Sequence, residues 1–448
     1  MKFVVIGADA AGMSAASRFK RRNPGAEVVV LEKTTDVSYS ACGMPYKIAE
    51  EEGDLESLIV RKAPVFREKQ GIDLRLEHLV TGIDRKGKKV FGTGPGGNFF
   101  EESYDTLLIA TGGRPAQPEL KGLDLPGVVY LKSLDDARLI LRVLEERRVK
   151  KAAIIGMGYI ALEMTEAFLA RGIEVALVKK RPHLLPWMHR DLAAVVQEAL
   201  TRHKVEIHDG VNLEEIREAG ADRLEVAGPG FSLTAEMVLV AAGLVPNAEL
   251  ASEAGLALGA GGAIAVDDHF RTSDLFIYAA GDCAEAPHVV TGGKTWVPLA
   301  LVANRGGWIV ADNAGGGDVS FPGIAGTGVF KVLDLEVARS GLTLEEALKA
   351  GFDPVETVIK TRSKAHGQKN AGAIHVCLVG DRKSRRLLGA QMVGPEGVAH
   401  RINAVAVALA AKMGVHEFSE CDLSYAPPFG PVWDPLLTAA NQLLKDLE

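Results

Sequence analysis

Lys2-Phe3-Val4-Val5-Ile6-Gly7-Ala8-Asp9-Ala10-Ala11-Gly12 is the stretch that decides the fold. Residues 3–6 are an apolar, mostly β-branched run that ends in a glycine turn, and residues 13–22 continue with a helical rhythm. Residues 27–31 (Glu-Val-Val-Val-Leu) then read as a second strand, so the whole is a βαβ unit. Gly7, Ala8, Ala10, Ala11 and Gly12 fill a G-x-G-x-x-G position directly after a strand. Such a turn lets the backbone approach a pyrophosphate, while the helix N-terminus offers unpaired N–H groups and a positive dipole end. Asp9 replaces the middle glycine, and its carboxylate is expected to point away from phosphate or to contact something else. Glu32 ends the second strand, where a carboxylate accepts hydrogen bonds from ribose hydroxyls.

A second unit repeats this layout. Residues 152–155 form the strand, Gly156-Met157-Gly158-Tyr159-Ile160-Ala161 the turn, 159–171 the helix and 174–178 the next strand. The residue matching Glu32 is Lys179, followed by Lys180 and Arg181. A ribose 2′-hydroxyl calls for a carboxylate there and a 2′-phosphate for cations, so this site is expected to take NADPH at least as well as NADH. Apolar runs at 104–112, 237–243 and 276–282 add buried strands ending in turns. Strands alternating with helices argue for parallel α/β sheets. From Gly323 the pattern changes: 329–333, 373–378 and 388–393 read as antiparallel strands, and 398–413 and 436–444 as helices. The expected fold is α/β, two Rossmann-like nucleotide-binding domains followed by a C-terminal α+β domain. Segments 1–113 and 245–322 would make the first domain, 114–244 the second and 323–448 the third.

At 448 residues the chain exceeds one ordinary core. With 47% hydrophobic and 24% charged residues and a net charge of −7, nothing favours a nucleic acid or an anionic membrane as partner. The most apolar stretch, 402–411, lies between Arg401 and Lys412 and is too short to span a bilayer. The chain opens directly on a strand with no secretory signal ahead of it. Cys42, Cys283, Cys377 and Cys421 show no close pairing, so they read as cytosolic thiols rather than a disulfide framework or a metal site. A cytoplasmic location without a bound metal is expected. The basic run 382–386 reads as a solvated hairpin turn.

Three further segments combine with the two fingerprints: Ala110-Thr111-Gly112, Gly281-Asp282 and Ser40-Ala41-Cys42-Gly43-Met44-Pro45-Tyr46. Tyr425-Ala426-Pro427-Pro428-Phe429 reinforces them near the C-terminus. In these motifs the chain resembles, over nearly its whole length, the FAD-dependent pyridine nucleotide-disulfide oxidoreductases, and within them the coenzyme A-disulfide reductase and NADH oxidase/peroxidase group. The resemblance implies FAD in the first site, with Asp282 on the ribityl chain and Thr111 and Gly112 near its diphosphate and adenosine half. It adds Lys33, Val80 and Ala300 to the FAD contacts. Tyr159 would sit beside the isoalloxazine and move when the nicotinamide enters, with Ile160, Glu163 and Gly243 completing that site. Coenzyme A contacts would come from Arg18, Arg22, Ser38, Tyr39, Lys62 and Asn304. The C-terminal domain would form a homodimer and bring Tyr425 to the partner subunit's Cys42 as a proton donor.

Cys42 lies in a Gly/Pro-bounded segment, and a helix beginning near Gly43 would stabilise its thiolate. Relatives with two redox cysteines place the second five positions on, where this chain has Lys47. A lone redox cysteine leaves two routes: a mixed disulfide or persulfide with a small thiol, or a sulfenic acid. The first leads to reduction of coenzyme A disulfide, persulfide or polysulfide, the second to oxidase or peroxidase activity. A flavin-bound redox sensor is the alternative from another class. Coenzyme A-disulfide reductases usually carry Asn where this chain has Ala41, and a second tyrosine where it has Lys364-Ala365-His366-Gly367-Gln368-Lys369. His366 or Gln368 would then stand in for that tyrosine. Cys283 reads as small packing, and Cys377 and Cys421 as structural.

Overall fold

The structure, a computed structural model, describes residues 1–181 and 183–448. The first sheet runs in the order 277–279, 106–109, 2–6, 27–31, 73–75, with all neighbours parallel. Its central strands are fully buried apolar runs, as expected when helices cover both faces. Helix Ala10–Arg22 crosses from the first strand to the second and packs against helix Ala300–Ala314. Gly307 allows this closeness, since a Cβ there would lie 2.3 Å from the Ala11 carbonyl oxygen; Gly12 keeps the turn tight, since a Cβ on it would lie 1.9 Å from the Gly7 carbonyl oxygen. A three-stranded meander, 79–84, 89–93 and 99–103, flanks this sheet.

The second parallel sheet has the order 206–208, 174–178, 151–155, 237–240, 128–129. Helix Leu134–Glu146 starts on a capping box in which Ser133 and Asp136 satisfy each other's backbone N–H groups. The ribbon of 113–115 with 244–246 links the two sheets' segments.

The C-terminal sheet is antiparallel in the order 328–332, 335–341, 387–394, 373–381, 354–362. Two of these strands, 335–341 and 354–362, have no counterpart in the sequence reading. The latter is an edge strand carrying Glu356, Lys360 and Arg362, and its burial is patchy, so it shows no clean period-two signal. Helix Pro435–Leu447 extends beyond 436–444 because Asp434 caps it and Pro435 fits its first turn. The second sheet's segment is tied to this domain: Glu166 accepts from Lys331 and, at 2.8 Å, from Leu333 N–H, and Gln391 accepts from His189 N–H at 2.6 Å. Among the described residues no helix is long and apolar enough to cross a membrane.

Candidate active site

The first fingerprint turn meets the Cys42 loop. Ser38 N–H donates to the Ala8 carbonyl at 3.0 Å, and Tyr39 N–H donates to Asp9 Oδ1 at 3.3 Å. Asp9 therefore turns its carboxylate toward the Cys42 loop. Burial pushes Asp9 up to about 6, against the Tyr39 amide and Lys132, which favour its ionised form. Glu32 accepts from Ala8 N–H at 2.8 Å and from Thr34, so it braces the turn from beneath. Asp282 accepts from Lys132 Nζ at 2.7 Å, and its carbonyl accepts from Trp296 Nε1. Thr111 and Gly112 are knotted to Asn247 by reciprocal hydrogen bonds. Lys33 and Ala300 are exposed, whereas Val80 is buried in the core. The small-residue turn, the open N-terminus of helix Ala10–Arg22 and the acid after the second strand fit a dinucleotide such as FAD.

Cys42 lies in a short 3₁₀ turn, Ala41–Gly43, ahead of the six-residue helix Met44–Ala49. The sulfur is reachable from solvent, yet enough protein crowds it for burial to push its thiol up. Glu163 adds to that shift and Lys132 opposes it. The balance of groups around Cys42 therefore differs from the expected lowering of its thiol: desolvation and the nearby Glu163 carboxylate raise it. Glu163 accepts from the Tyr46 hydroxyl at 3.3 Å, and burial pushes Glu163 up to about 7. Tyr46 is in turn pushed up to about 12 by burial and by Glu163. Cys283 and Cys377 are buried in the core, and Cys421 is half-buried.

The second fingerprint opens onto a cavity of about 1360 Å³ lined by Gly156, Gly158, Tyr159, Lys179, Lys180, Arg181 and Gly243, among others. Ile160 and Glu163 follow Tyr159 on helix Tyr159–Ala170. Lys179 is only 8% exposed, and among the described residues its ammonium has no hydrogen-bond partner. Burial holds it down at about 8, with Arg181 adding and Asp209 opposing. An orphaned cation in a nucleotide-sized cavity fits a phosphorylated ribose. Tyr159 lines the cavity, stacked on Trp187 at 5.4 Å and edge-on to Phe330 at 4.9 Å.

Arg18 and Arg22 share a helix face as expected, and both bind Asp312 of the neighbouring helix; Arg18 reaches it through Nε at 2.7 Å and a second nitrogen at 2.8 Å. One carboxylate thus serves two guanidiniums. Asn304 accepts from Ser14 at 2.6 Å beside them. Tyr39 pairs with Ile59, and Ser38 accepts from Val60 N–H, so the exposed Lys62 follows directly on this pairing. Tyr425 is 48% exposed on the C-terminal domain. The His366 segment lies against its loop, with Ala365 N–H donating to the Pro427 carbonyl at 3.2 Å. Lys132, Tyr46 and Trp187 were not among the expected site residues. Tyr46 closes the Cys42 motif but was assigned no role there, no motif surrounds Trp187, and the one signal for Lys132 is that it immediately precedes the Ser133 capping box.

The model of the pyridine nucleotide-disulphide oxidoreductase family matches residues 1–307, and that family's dimerisation domain matches residues 328–435. The NAD(P)H sulfur oxidoreductase (CoA-dependent) of Pyrococcus furiosus is 39% identical over 447 residues, 99% of each chain. An NADH oxidase of Methanocaldococcus jannaschii is 34% identical over 100% of this chain and 99% of its own. The solved structure of a NAD-dependent persulfide reductase from A. fulgidus superimposes with a TM-score of 0.95 at 37% identity, covering 100% of this chain and 83% of that one. The chain belongs to the pyridine nucleotide-disulphide oxidoreductase family.

Proposed function

We propose that this enzyme uses NAD(P)H and FAD to reduce coenzyme A persulfide, polysulfide or coenzyme A disulfide through Cys42. The observation that carries the reading is a solvent-reachable thiol stitched to the flavin-type fingerprint, with Lys47 where a resolving cysteine would stand. The names of the Pyrococcus and A. fulgidus relatives support the substrate class. Segments 1–113 and 245–322 serve as the FAD domain, 114–244 as the NAD(P)H domain and 323–448 as the dimerisation domain of a homodimer. Arg18, Arg22, Lys62 and Asn304 hold the coenzyme A phosphates and adenosine.

Bound FAD would supply the relay that passes an electron pair from the nicotinamide to sulfur. The Cys42 thiolate bonds to one sulfur of the substrate as the substrate's S–S bond breaks, and the other sulfur leaves as a thiolate or hydrosulfide. Two electrons then cleave the new Cys42 S–S bond, restoring the Cys42 thiolate and releasing the second thiolate. Each leaving sulfur takes a proton. Glu163, held near neutrality by burial, and Tyr425 of the partner subunit are the groups that hold that proton.

An NAD(P)H oxidase or peroxidase working through a Cys42 sulfenic acid is the second reading, favoured by the Methanocaldococcus relative's name. Anaerobic NADPH consumption with coenzyme A disulfide, coenzyme A persulfide or polysulfide, set against oxygen and hydrogen peroxide, separates the two. The sulfur compounds are expected to be the faster acceptors, and Cys42→Ser is expected to abolish their turnover. A Cys42→Ser enzyme that keeps full sulfur-reducing activity overturns the proposal.

A further inference from the structure

Trp187 contacts two groups, Tyr159 and Arg339. One face stacks on Tyr159 at 5.4 Å with the rings 17° from parallel. The guanidinium of Arg339, from the C-terminal sheet, lies 5.3 Å from the centroid of the Trp187 ring. Arg339 is itself fixed: it donates to Glu346 at 2.5 Å and to the Gly341 carbonyl at 3.0 Å, and Glu346 is locked in the capping box of helix Leu344–Lys349. Phe330, on the neighbouring strand of that sheet, meets the edge of Tyr159. Trp187 and Tyr159 both line the nucleotide cavity, so two of its lining residues are contacted by the C-terminal sheet.

A ring–ring separation of 5.4 Å leaves no room for a third ring between Tyr159 and Trp187. A nicotinamide entering on the Trp187 side of Tyr159 must therefore displace this pair. We propose that Arg339 is a positioning residue that holds the Trp187–Tyr159 pair closed, so that the C-terminal domain sets how readily the nicotinamide ring enters. The inference rests on the nicotinamide site proposed above. A cation over an aromatic face favours the closed arrangement, and a closed resting state weakens apparent binding by the fraction of time the site is open.

The test is calorimetric titration of the FAD-loaded full-length dimer with NADP⁺ and with 2′-phospho-ADP-ribose, which lacks the nicotinamide. Arg339→Gln and Trp187→Leu, which removes the aromatic face, are each expected to tighten NADP⁺ by about two- to tenfold, the span that a cation–π contact of ordinary strength allows. Binding of the truncated nucleotide is expected to stay unchanged in both. Arg339→Lys keeps the cation and is expected to bind NADP⁺ as the wild type does. The double variant is expected to gain no more than either single one, because both remove the same contact. Additive effects, equal shifts with the truncated nucleotide, or no shift in either single variant overturn the role of Arg339. Tyr159→Ala separates the two levels. If it tightens NADP⁺ while Arg339→Gln does not, the gate stands without Arg339; if it changes neither nucleotide, the placement of the nicotinamide at Tyr159 falls.

Discussion

Lys179 shows how one side chain can encode cofactor choice. It stands where the first nucleotide unit has Glu32, at the end of the second strand of its βαβ unit, and it is buried without a partner. A buried ammonium without a hydrogen bond is unfavourable to the free enzyme, and that penalty is relieved when a phosphate arrives. Lys179→Ala is expected to raise the KM for NADPH by about 10- to 100-fold, the worth of a charged hydrogen bond, and to leave that for NADH within about twofold. Steady-state kinetics with both nucleotides checks this. The sign of the pH dependence follows from the same burial. The lysine is held down at about 8, so below that pH it is already charged and ready for phosphate. Above it, binding must take up a proton, and the NADPH dissociation constant is expected to rise by up to about tenfold per pH unit while that for NADH stays flat. The basic triplet 179–181 was legible in the sequence because its position follows from strand and turn alone. Trp187 and Lys132 were not, because their partners Arg339 and Asp282 are 152 and 150 positions away and only the tertiary fold brings them together.

Between elements, helix Ala10–Arg22 packs closely on helix Ala300–Ala314. Gly307 faces the Ala11 carbonyl so closely that a methyl group would fall 2.3 Å from its oxygen, a backbone atom that cannot swing aside. Gly307→Ala therefore has to push the helices apart, and overpacking of this kind costs about 1–3 kcal/mol. The first helix carries the fingerprint turn at its N-terminus, so the same displacement moves the turn away from the pyrophosphate. The variant is expected to melt several degrees below the wild type and to shed FAD faster, read as the rise of free flavin fluorescence on dilution; unchanged melting and retention would mean that the helices adjust without loss. The central parallel strands were legible because each is a short, uninterrupted apolar run; strands 73–75, 128–129 and 206–208 were not, being only two or three residues long and, in 73–75 and 206–208, charged or polar at both ends. The C-terminal sheet was only half legible: strand 387–394 is buried throughout and 373–381 is buried from Val376 on, whereas 354–362 presents charges at an edge and hides its period. The proposed catalytic thiol was legible as a motif, but not its electrostatics, since Glu163 approaches Cys42 from a helix more than a hundred residues later.

Over the whole molecule, the C-terminal domain leaves an apolar surface uncovered. Phe429 is 78% and Trp433 64% exposed, with Tyr425 and Val432 beside them on the same loop and Val407 exposed on helix Val398–Ala410. The loop is nonetheless anchored: Arg401 donates to the Phe429 carbonyl at 3.0 Å and to Asp434 at 2.7 Å. A rigid loop presenting bare aromatic side chains suits a standing interface, and a family dimerisation domain covers residues 328–435. If a second copy covers this surface and places Tyr425 at the other subunit's Cys42, every active site draws on two chains. Co-expression of a Cys42→Ser chain with a Tyr425→Ala chain tests the point. Each is expected to be inactive or strongly impaired alone. When Tyr425 acts across the interface, the mixed dimer regains one intact site, built from Cys42 of one chain and Tyr425 of the other. Random pairing makes half of all dimers mixed, each with one good site in two, so about a quarter of wild-type activity is expected. When Tyr425 instead serves the cysteine of its own chain, no combination contains an intact site, and the mixture stays as inactive as its components.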